Sequence, residues 1–228
     1  MVQAILFDLF GTLIPAGSSD ARDATSHRSA GELAVDPFEF AALVRATFDE
    51  RMRGVLGGLS ATYEELARRL EGSPTAEQVD RAVAHRLAFA RELLAVRTAE
   101  PILGRLMKAG LRLGVVTDSS AETPAVWSST WLHGYFDHVA FSCDLGVRKP
   151  DPQIYLTVVG ALAVSPADCI FIGDGGSQEL TGAKALGMEA IMLVDPGEVG
   201  VHRDNPDIDW QGATIGSLSE LVASLDFV

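Results

Sequence analysis

The stretch AILFDLFGTL, residues 4–13, decides the fold of this chain. Its first four residues, Ala4–Phe7, form a short continuous apolar run, which is typical of a strand buried on both faces. Gly11 then supplies a turn, so we expect Asp8 at the carboxyl end of a strand, where α/β sheets bind ligands. A carboxylate there serves as a nucleophile or a metal ligand. Proton transfer would need a second acid two residues on, and this chain has Phe10 there.

The composition is typical of a soluble globular protein. Of the 228 residues, 47% are hydrophobic and 21% are charged, and the length suits one large domain or one domain that carries a smaller insertion. No apolar stretch approaches the roughly 20 residues that span a bilayer, and the first residues lack the basic region of a signal peptide. We therefore expect a cytoplasmic protein without a membrane partner.

The net charge of −13 restricts the possible partners. It repels polyanions and the sequence has no basic patch, so we expect no binding to nucleic acid. A phosphorylated substrate would have to be attracted locally, by a cation or by a few basic side chains. The two cysteines, Cys143 and Cys169, lack metal-ligand spacing and are expected to be reduced core residues. The oligomeric state stays open.

Residues 16–96 are predicted to form an all-helical insert. Small and polar residues from Pro15 to Gly31 favour a linker or a mobile loop at its start. Asp36 is then a candidate N-cap before Pro37, because proline suits the first helical position. Two further helix starts have capping-box spacing, Thr62 with Glu65 and Thr75 with Gln78.

From Pro101 onward, short apolar strands alternate with helical segments, which predicts a parallel sheet. The expected strands are Leu111–Val116, His138–Phe141, Cys169–Ile172 and Ala190–Val194. The expected helices cover residues 101–109, 121–132, 152–163 and 177–186. The fold class is therefore α/β, with a doubly wound parallel sheet in a core domain of residues 1–15 and 97–228 and the helical insert after the first strand. An insert in that position would cover the site.

Two later segments are expected at the same edge of the sheet as Asp8, because the carboxyl ends of parallel strands point one way. Thr117, Asp118 and Ser119 follow a predicted strand and offer a hydroxyl and successive backbone N–H groups to an anionic oxygen. Lys149 offers a compact positive charge just before a helix. Each of these features is ordinary by itself, and together they predict an anion site.

A third segment at this edge carries two acids. Asp174 and Glu179 lie five residues apart across a glycine-rich turn. Acids suit the start of any helix, but with Asp8 these two could hold a hard divalent cation through oxygen ligands. We favour metal binding for Asp174 and leave Glu179 open.

Four short motifs in this order resemble those of the haloacid dehalogenase (HAD) superfamily. They are Asp8-x-Phe10-Gly-Thr-Leu, Thr117, Lys149-Pro150 and Gly173-Asp174-x-x-x-x-Glu179. The helical insert, which lies between the first two motifs, resembles the C1-type cap of that superfamily. The resemblance covers nearly the whole chain and implies a Rossmann-like core beneath a helical cap.

The resemblance also implies roles for the motif residues. Asp8 would be a nucleophile that forms a covalent aspartyl intermediate, while Thr117 and Lys149 would hold the transferring group. The residues implied for substrate binding are Thr117, Asp118, Ser119 and Lys149. The ligands implied for a Mg²⁺ cofactor are Asp8, Asp174, the backbone carbonyl of Phe10 and, nearby or through water, Glu179.

Phe10 departs from the phosphatases of this superfamily, which usually have a second Asp there as general acid and base. An aromatic residue at this position resembles the dehalogenase branch, in which the halide leaves without a proton. Asp174, in contrast, resembles the metal-binding phosphatase form. We expect Mg²⁺-dependent hydrolysis of a small phosphorylated metabolite. The alternatives are a metal-independent 2-haloacid dehalogenase and a non-catalytic protein that binds a ligand or partner.

Three further expectations concern residues near the site. Asp118 could partly replace the missing acid, although a side chain after a strand end often caps a turn instead. Trp127 and Trp131 lie four apart and are expected to pack one helix face against the sheet. Three arginines of the insert could reach a substrate anion but are expected on solvated helix faces, namely Arg45, Arg51 and Arg53.

Overall fold

The computed structural model describes residues 1–194 and 204–224, which form a single parallel sheet with helices around it. The sheet order is β3-β2-β1-β4-β5-β6, and every neighbouring pair is parallel. The strands are β1 (Ala4–Phe7), β2 (Arg112–Thr117), β3 (His138–Phe141), β4 (Cys169–Gly173), β5 (Glu189–Leu193) and β6 (Ala213–Ile215). All four residues of β1 are buried, as the apolar run predicts for a central strand.

Five helices follow β1 and form the helical insert. They are α1 (Ser19–Leu33), α2 (Pro37–Ala46), α3 (Phe48–Met52), α4 (Leu59–Arg69) and α5 (Ala76–Leu94). They bury a hydrophobic cluster of their own, which includes Leu33, Phe40, Tyr63 and Leu66. The insert therefore does not depend on the sheet for a core.

The linker predicted from Pro15 to Gly31 is wrong, because α1 occupies most of that segment. Its polar residues are compatible with a helix because the helix satisfies their hydroxyls: Thr25 donates to Ala21 O at 2.9 Å and Ser26 to Arg22 O at 3.1 Å. Ser29 is fully buried and donates to Ala82 O of α5 at 2.9 Å. Small side chains thus let α1 pack closely against α5.

The helix starts within the insert follow the sequence signals in two of three cases. Asp36 caps α2 by accepting from two backbone N–H groups, and Thr75 and Gln78 form both bonds of a capping box at α5. The capping box predicted at Thr62 is wrong, because α4 begins at Leu59. Thr62 therefore lies a turn inside the helix, where its backbone N–H is already bonded within the helix.

Within the described part of the core, six helices flank the sheet on both faces, which gives the predicted doubly wound α/β arrangement. They are α6 (Glu100–Lys108), α7 (Glu122–Trp127), α8 (Ser142–Leu145), α9 (Pro152–Leu162), α10 (Glu179–Ala185) and α11 (Leu218–Ser224). One hydrophobic cluster joins one sheet face to α6, α7 and α11, and a second joins the other face to α9 and α10. The predicted core range also includes residues 195–203 and 225–228, which lie outside the described residues.

The single helix predicted over residues 121–132 is wrong in its length. The helix α7 ends at Trp127, extended backbone at Thr130 follows, and Trp131 begins a separate 3₁₀ helix, Trp131–Gly134. Both tryptophans nevertheless join the hydrophobic cluster beside the sheet, Trp127 as a buried member and Trp131 at its border. Their predicted packing beside the sheet is therefore confirmed, but the shared helix face is wrong, because the two side chains belong to separate helices.

Among the described residues, no helix combines the length and the apolar character needed to cross a bilayer.

The capping box of α5 gives a test of how the insert is stabilised. Thr75→Ala removes the side chain that accepts from Gln78 N, so we expect the free energy of unfolding to fall by about 1 kcal/mol. Thr157→Ala is the matched control inside α9, where Thr157 donates only to Gln153 O and alanine has the higher helix propensity. Urea denaturation measures both variants. Equal losses would contradict the assigned cap.

Candidate active site

Asp8 lies at the point where the sheet changes its direction of winding. The chain builds β1, β2 and β3 toward one side and β4, β5 and β6 toward the other, so a crevice opens between β1 and β4. Phe7 pairs with Val115 of β2 and with Ile172 of β4, and Asp8 N donates to Ile172 O at 2.8 Å. Asp8 thus directly follows β1 and is bonded to β4 near the carboxyl end of that strand.

A buried lysine joins two of the predicted carboxylates. Lys149 Nζ donates to Asp8 Oδ1 at 2.5 Å and to Glu179 Oε2 at 2.5 Å, and all three side chains are buried. Thr12 donates its hydroxyl to the other oxygen of Asp8 at 3.2 Å. The second oxygen of Glu179 accepts from Gly175 N at 2.9 Å. Both carboxylates are therefore held in fixed orientations.

Burial dominates the electrostatics of this centre, and the Lys149 ammonium opposes its effect on the acids. Burial raises the pKa of Asp8 to about 6, although the Lys149 ammonium lowers it, and the charge of Asp174 raises it further. Burial also raises the pKa of Glu179 well above its usual range, against the same opposing effect of Lys149. Desolvation acts against the charged form of Lys149, but Asp8 and Glu179 outweigh it and hold its pKa well above the usual value.

Asp8, Asp174 and Glu179 form a carboxylate cluster that fits a hard divalent cation. One ligand atom from each lies within 4.8 Å of the others. Oxygen donors of this kind are what Mg²⁺ prefers, and a second cation would offset the negative charge that the three acids bring together. All three carboxylates already accept hydrogen bonds from the protein, Asp8 and Glu179 through both oxygens, so their orientations are fixed before a cation binds.

Two glycines make room for the cluster. Gly11 has φ +86°, and a Cβ there would come within 2.5 Å of Asp174 Oδ2. A Cβ on Gly173 would overlap Glu179 Oε1. The glycines of the first and fourth motifs therefore allow the acids to approach the backbone closely.

Thr117 supplies the clearest sign that this edge binds a ligand. It is the last residue of β2 and is fully buried, and its Oγ1 has no hydrogen-bond partner among the described residues. Leaving a buried hydroxyl without a partner is unfavourable, so such a group bonds an ordered water or a bound ligand when the protein offers no acceptor. An anionic oxygen near Asp8 would supply the acceptor.

The Asp118 side chain and the Ser119 backbone are bonded to other parts of the core. Asp118 Oδ1 accepts from Lys149 N at 2.9 Å, and its Oδ2 accepts from Arg148 Nε at 3.2 Å. Both oxygens are thus engaged in holding the segment that carries Lys149, a position that favours a structural role over the transfer of protons. Ser119 N donates to Ser142 Oγ at 2.9 Å, which ties the same loop to α8.

Phe10 is oriented toward apolar surroundings. Its side chain is half-buried and packs against the hydrophobic cluster that contains Phe7 and Leu13. Its backbone is held in a tight loop, in which Gly11 N donates to Ile14 O at 2.7 Å. The side chain can neither donate nor accept a proton, so general acid and base chemistry from this position is absent.

The arginines of the insert differ from one another in their surroundings. Arg45 pairs with Asp23 and Arg53 with Asp49, and both arginines are exposed, as expected. The expectation of a solvated face is wrong for Arg51, which donates to Val44 O at 2.8 Å and to Ser120 Oγ at 3.2 Å. This side chain connects the insert to the loop after Thr117.

Sequence reasoning assigned no role to two residues that contact the site. Thr12 holds Asp8, and its position in the first motif is the signal that could have identified it. Arg148 holds Asp118, and its position immediately before Lys149 is the corresponding signal.

The sequence model of the haloacid dehalogenase-like hydrolase family matches residues 2–187. This chain belongs to that family. The match covers most of the chain, so the predicted family and hydrolase class are confirmed, and the parallel sheet confirms the predicted α/β fold.

Similar sequences of this hydrolase include two named phosphatases. The glyceraldehyde 3-phosphate phosphatase of Methanopyrus kandleri is 27% identical over 202 residues, which cover 85% of this chain and 84% of that protein. The ribulose-1,5-bisphosphate 5-phosphatase of Halopiger xanaduensis is 28% identical over 242 aligned positions, which cover 98% of this chain and all 100% of that protein.

Similar solved structures of the hydrolase fold come from both branches. The 2-haloacid dehalogenase from Pseudomonas syringae pv. Tomato DC3000 has a TM-score of 0.70 at 24% identity, covering 98% of this chain and 97% of that one. The HAD phosphatase from Thermococcus onnurineus has a TM-score of 0.66 at 22% identity, covering 99% of each chain. These similarities establish the fold and leave the reaction to the site residues.

Removing the buried ammonium tests the charge balance of the hydrolase site. Lys149→Met leaves buried carboxylates without their partner, so in EDTA at pH 7 we expect the free energy of unfolding to fall by about 3–5 kcal/mol. The loss should shrink at pH 5. Lys149 lowers the pKa of Asp8, so the variant has an even higher folded-state pKa at this carboxyl than the wild type. At pH 5 the folded variant therefore binds protons that its unfolded chain binds less, and this stabilises the folded variant as the pH falls.

Lys108→Met is the matched control for this measurement, because Lys108 is exposed at the end of α6. Its stability should change by less than about 0.5 kcal/mol at either pH. Guanidinium denaturation at the two pH values compares the variants. An equal loss for both, or a Lys149→Met loss that grows on acidification, would contradict the assigned charge balance.

Proposed function

We propose that this hydrolase removes phosphate from a small phosphorylated metabolite through a phosphoryl group carried on Asp8. The observation that carries the proposal is the buried carboxylate cluster with its single bonded ammonium, next to the unpartnered hydroxyl of Thr117. An uncharged substrate centre would not need so many charged groups. The two named phosphatases, which act on sugar or triose phosphates, support the choice of substrate class.

The first step transfers the phosphoryl group to the protein. An oxygen of Asp8 attacks phosphorus while the ester P–O bond breaks, and the leaving oxygen keeps the bonding electrons. Lys149 and Thr117 would hold the phosphate oxygens, because one is a buried cation and the other a buried donor beside Asp8. When bound, Mg²⁺ would offset the negative charge that Asp8, Asp174 and the phosphate bring together.

The second step returns the carboxylate. A water oxygen attacks phosphorus, the bond between phosphorus and the Asp8 oxygen breaks, and inorganic phosphate leaves. Phe10 supplies no base for this water and no acid for the earlier leaving group. Both proton transfers therefore involve solvent, and general acid-base assistance of about 10²–10⁴-fold is lost. We infer that turnover is slow and that substrates with good leaving groups react best.

Binding of the cation is the first test of this function. We expect Mg²⁺ to raise the melting temperature of the wild-type protein, because a ligand at 100 times its Kd stabilises the folded state by about 2.7 kcal/mol. Asp174→Asn should lose most of this shift, while Asp80→Asn, at an exposed position of α5, should keep it. EDTA should abolish phosphatase activity.

Equal Mg²⁺-induced shifts of the melting temperature for Asp174→Asn and the wild type would contradict the assignment of Asp174 as a metal ligand.

Phe10 favours a second candidate function, that of a 2-haloacid dehalogenase, and the carboxylate cluster counts against it. Halide release from a 2-haloacid that persists in EDTA, with no phosphatase activity, would overturn the proposed function in favour of that candidate.

The role of Phe10 is tested by substrates with different leaving groups. Across a series of aryl and alkyl phosphates, kcat/KM should fall steeply as the pKa of the leaving alcohol rises. Phe10→Asp should raise kcat/KM for alkyl phosphates by about 10²–10⁴-fold, and Phe10→Asn, which has the same shape without an acid, should not. A flat dependence in the wild type, with chemistry shown to limit the rate, would contradict this account.

A further inference from the structure

Arg148 contacts the helical insert and the core at the same time. On the insert side, its Nη1 donates to Asp49 Oδ1 at 3.1 Å, and its guanidinium lies 5.0 Å from the ring centre of Phe48. Both partners belong to α3. On the core side, its Nε donates to Asp118 Oδ2 at 3.2 Å. A planar guanidinium is suited to such a position, because its donors point in several fixed directions.

The core contacts of Arg148 extend to the fourth motif. Its Nη2 donates to Ser177 Oγ at 3.2 Å and also bonds the carboxylate of Asp204. Ser177 lies in the turn between Asp174 and Glu179 and has φ +55°, a conformation that non-glycine residues adopt only when the surroundings hold them. Arg148 therefore bonds the loops that carry Thr117 and Asp174, and it precedes Lys149 in the chain.

The two sides of this contact differ in their exposure to solvent. The Arg148 and Asp118 side chains are 11% and 7% exposed, whereas Asp49 is 60% exposed. Asp49 is also bonded by Arg53 of the insert, at 3.0 Å. The core half of the contact is therefore enclosed, and the insert half is a solvated ion pair that forms and breaks at little cost.

We propose that Arg148 is a positioning residue that fastens α3 over the active site and couples the closed position of the helical insert to the arrangement of the catalytic loops. The guanidinium stays anchored on Asp118 and Ser177. Asp49 and Phe48 engage it when the insert closes. This inference deepens the proposed function and rests on it for the kinetic readouts, while the contact itself is tested without turnover.

Hydrogen exchange measured by mass spectrometry tests the contact directly. In Asp49→Asn, exchange of α3 should rise by roughly two- to fivefold, with no change in the loops around Asp118 and Ser177. In Arg148→Lys, exchange should rise in α3 and in both loops, because an ammonium cannot reproduce the fork of donors. Asp23→Asn breaks an ion pair within the insert and is the matched control. It should leave α3 and both loops unchanged.

A salt titration separates this contact from ordinary packing. Raising the ionic strength should speed exchange of α3 in the wild type and should have little further effect in Asp49→Asn, because the ion pairs of Asp49 with Arg148 and Arg53 are already absent. A purely structural role for Arg148 would make the salt response equal in both proteins. That result, or unchanged α3 exchange in Asp49→Asn and Arg148→Lys, would overturn the proposal.

The kinetic arm uses p-nitrophenyl phosphate with saturating Mg²⁺. Asp49→Asn should raise KM by roughly two- to fivefold at unchanged kcat, and Arg148→Lys should lower kcat more than tenfold. If Asp49→Asn and Arg148→Lys lowered kcat equally, the division of the Arg148 contact into an insert half and a core half would be contradicted. If the wild type hydrolyses no phosphate ester, the proposed function fails, and the exchange measurements still decide whether Arg148 fastens the insert.

Discussion

The buried ammonium of Lys149 is the interaction on which the rest of the site depends. It bonds Asp8 and Glu179, two acids that could not remain close together in the interior without a cation. Burial raises the pKa of Asp8 to about 6 although the Lys149 ammonium lowers it, and the charge of nearby Asp174 adds to the rise. The arrangement is therefore suited to a further cation and to an anionic substrate group that arrives with it.

The parallel sheet makes this concentration of charge possible. Because β1, β2 and β4 end at the same edge, Asp8, Thr117 and Asp174 meet although they are far apart in the chain. Glycines at positions 11 and 173 let the acids approach the backbone. The helical insert then covers an edge that is already formed, and Arg148 connects the two. The acids, Thr117 and Lys149 thus belong to the core, and the insert contacts that core through Arg148.

The sequence predicted the parts of this structure that arise from regular patterns. The apolar run before Asp8 and the alternation of strands and helices led directly to the sheet, and parallel strands brought the motif residues to one edge.

The helix α1 was missed because its hydroxyls are satisfied by carbonyls of the helix and of α5, which polarity alone does not reveal. The contacts of Arg148 could not be predicted, because its partners are contributed by segments around residues 49, 118, 177 and 204. Long side chains of this kind choose among many rotamers and partners only after the fold has formed.

The central claim, that Asp8 carries the phosphoryl group, is tested most directly by trapping the intermediate. The protein is mixed with Mg²⁺ and p-nitrophenyl phosphate, quenched in acid within one turnover and digested, and the peptide that contains Asp8 is weighed. Because Phe10 provides no base for the second step, the account predicts that this peptide gains the mass of one phosphoryl group in much of the protein. The same peptide from Asp8→Asn should gain none. Phosphate release by the wild type with Asp8 unmodified at every quench time would contradict the account.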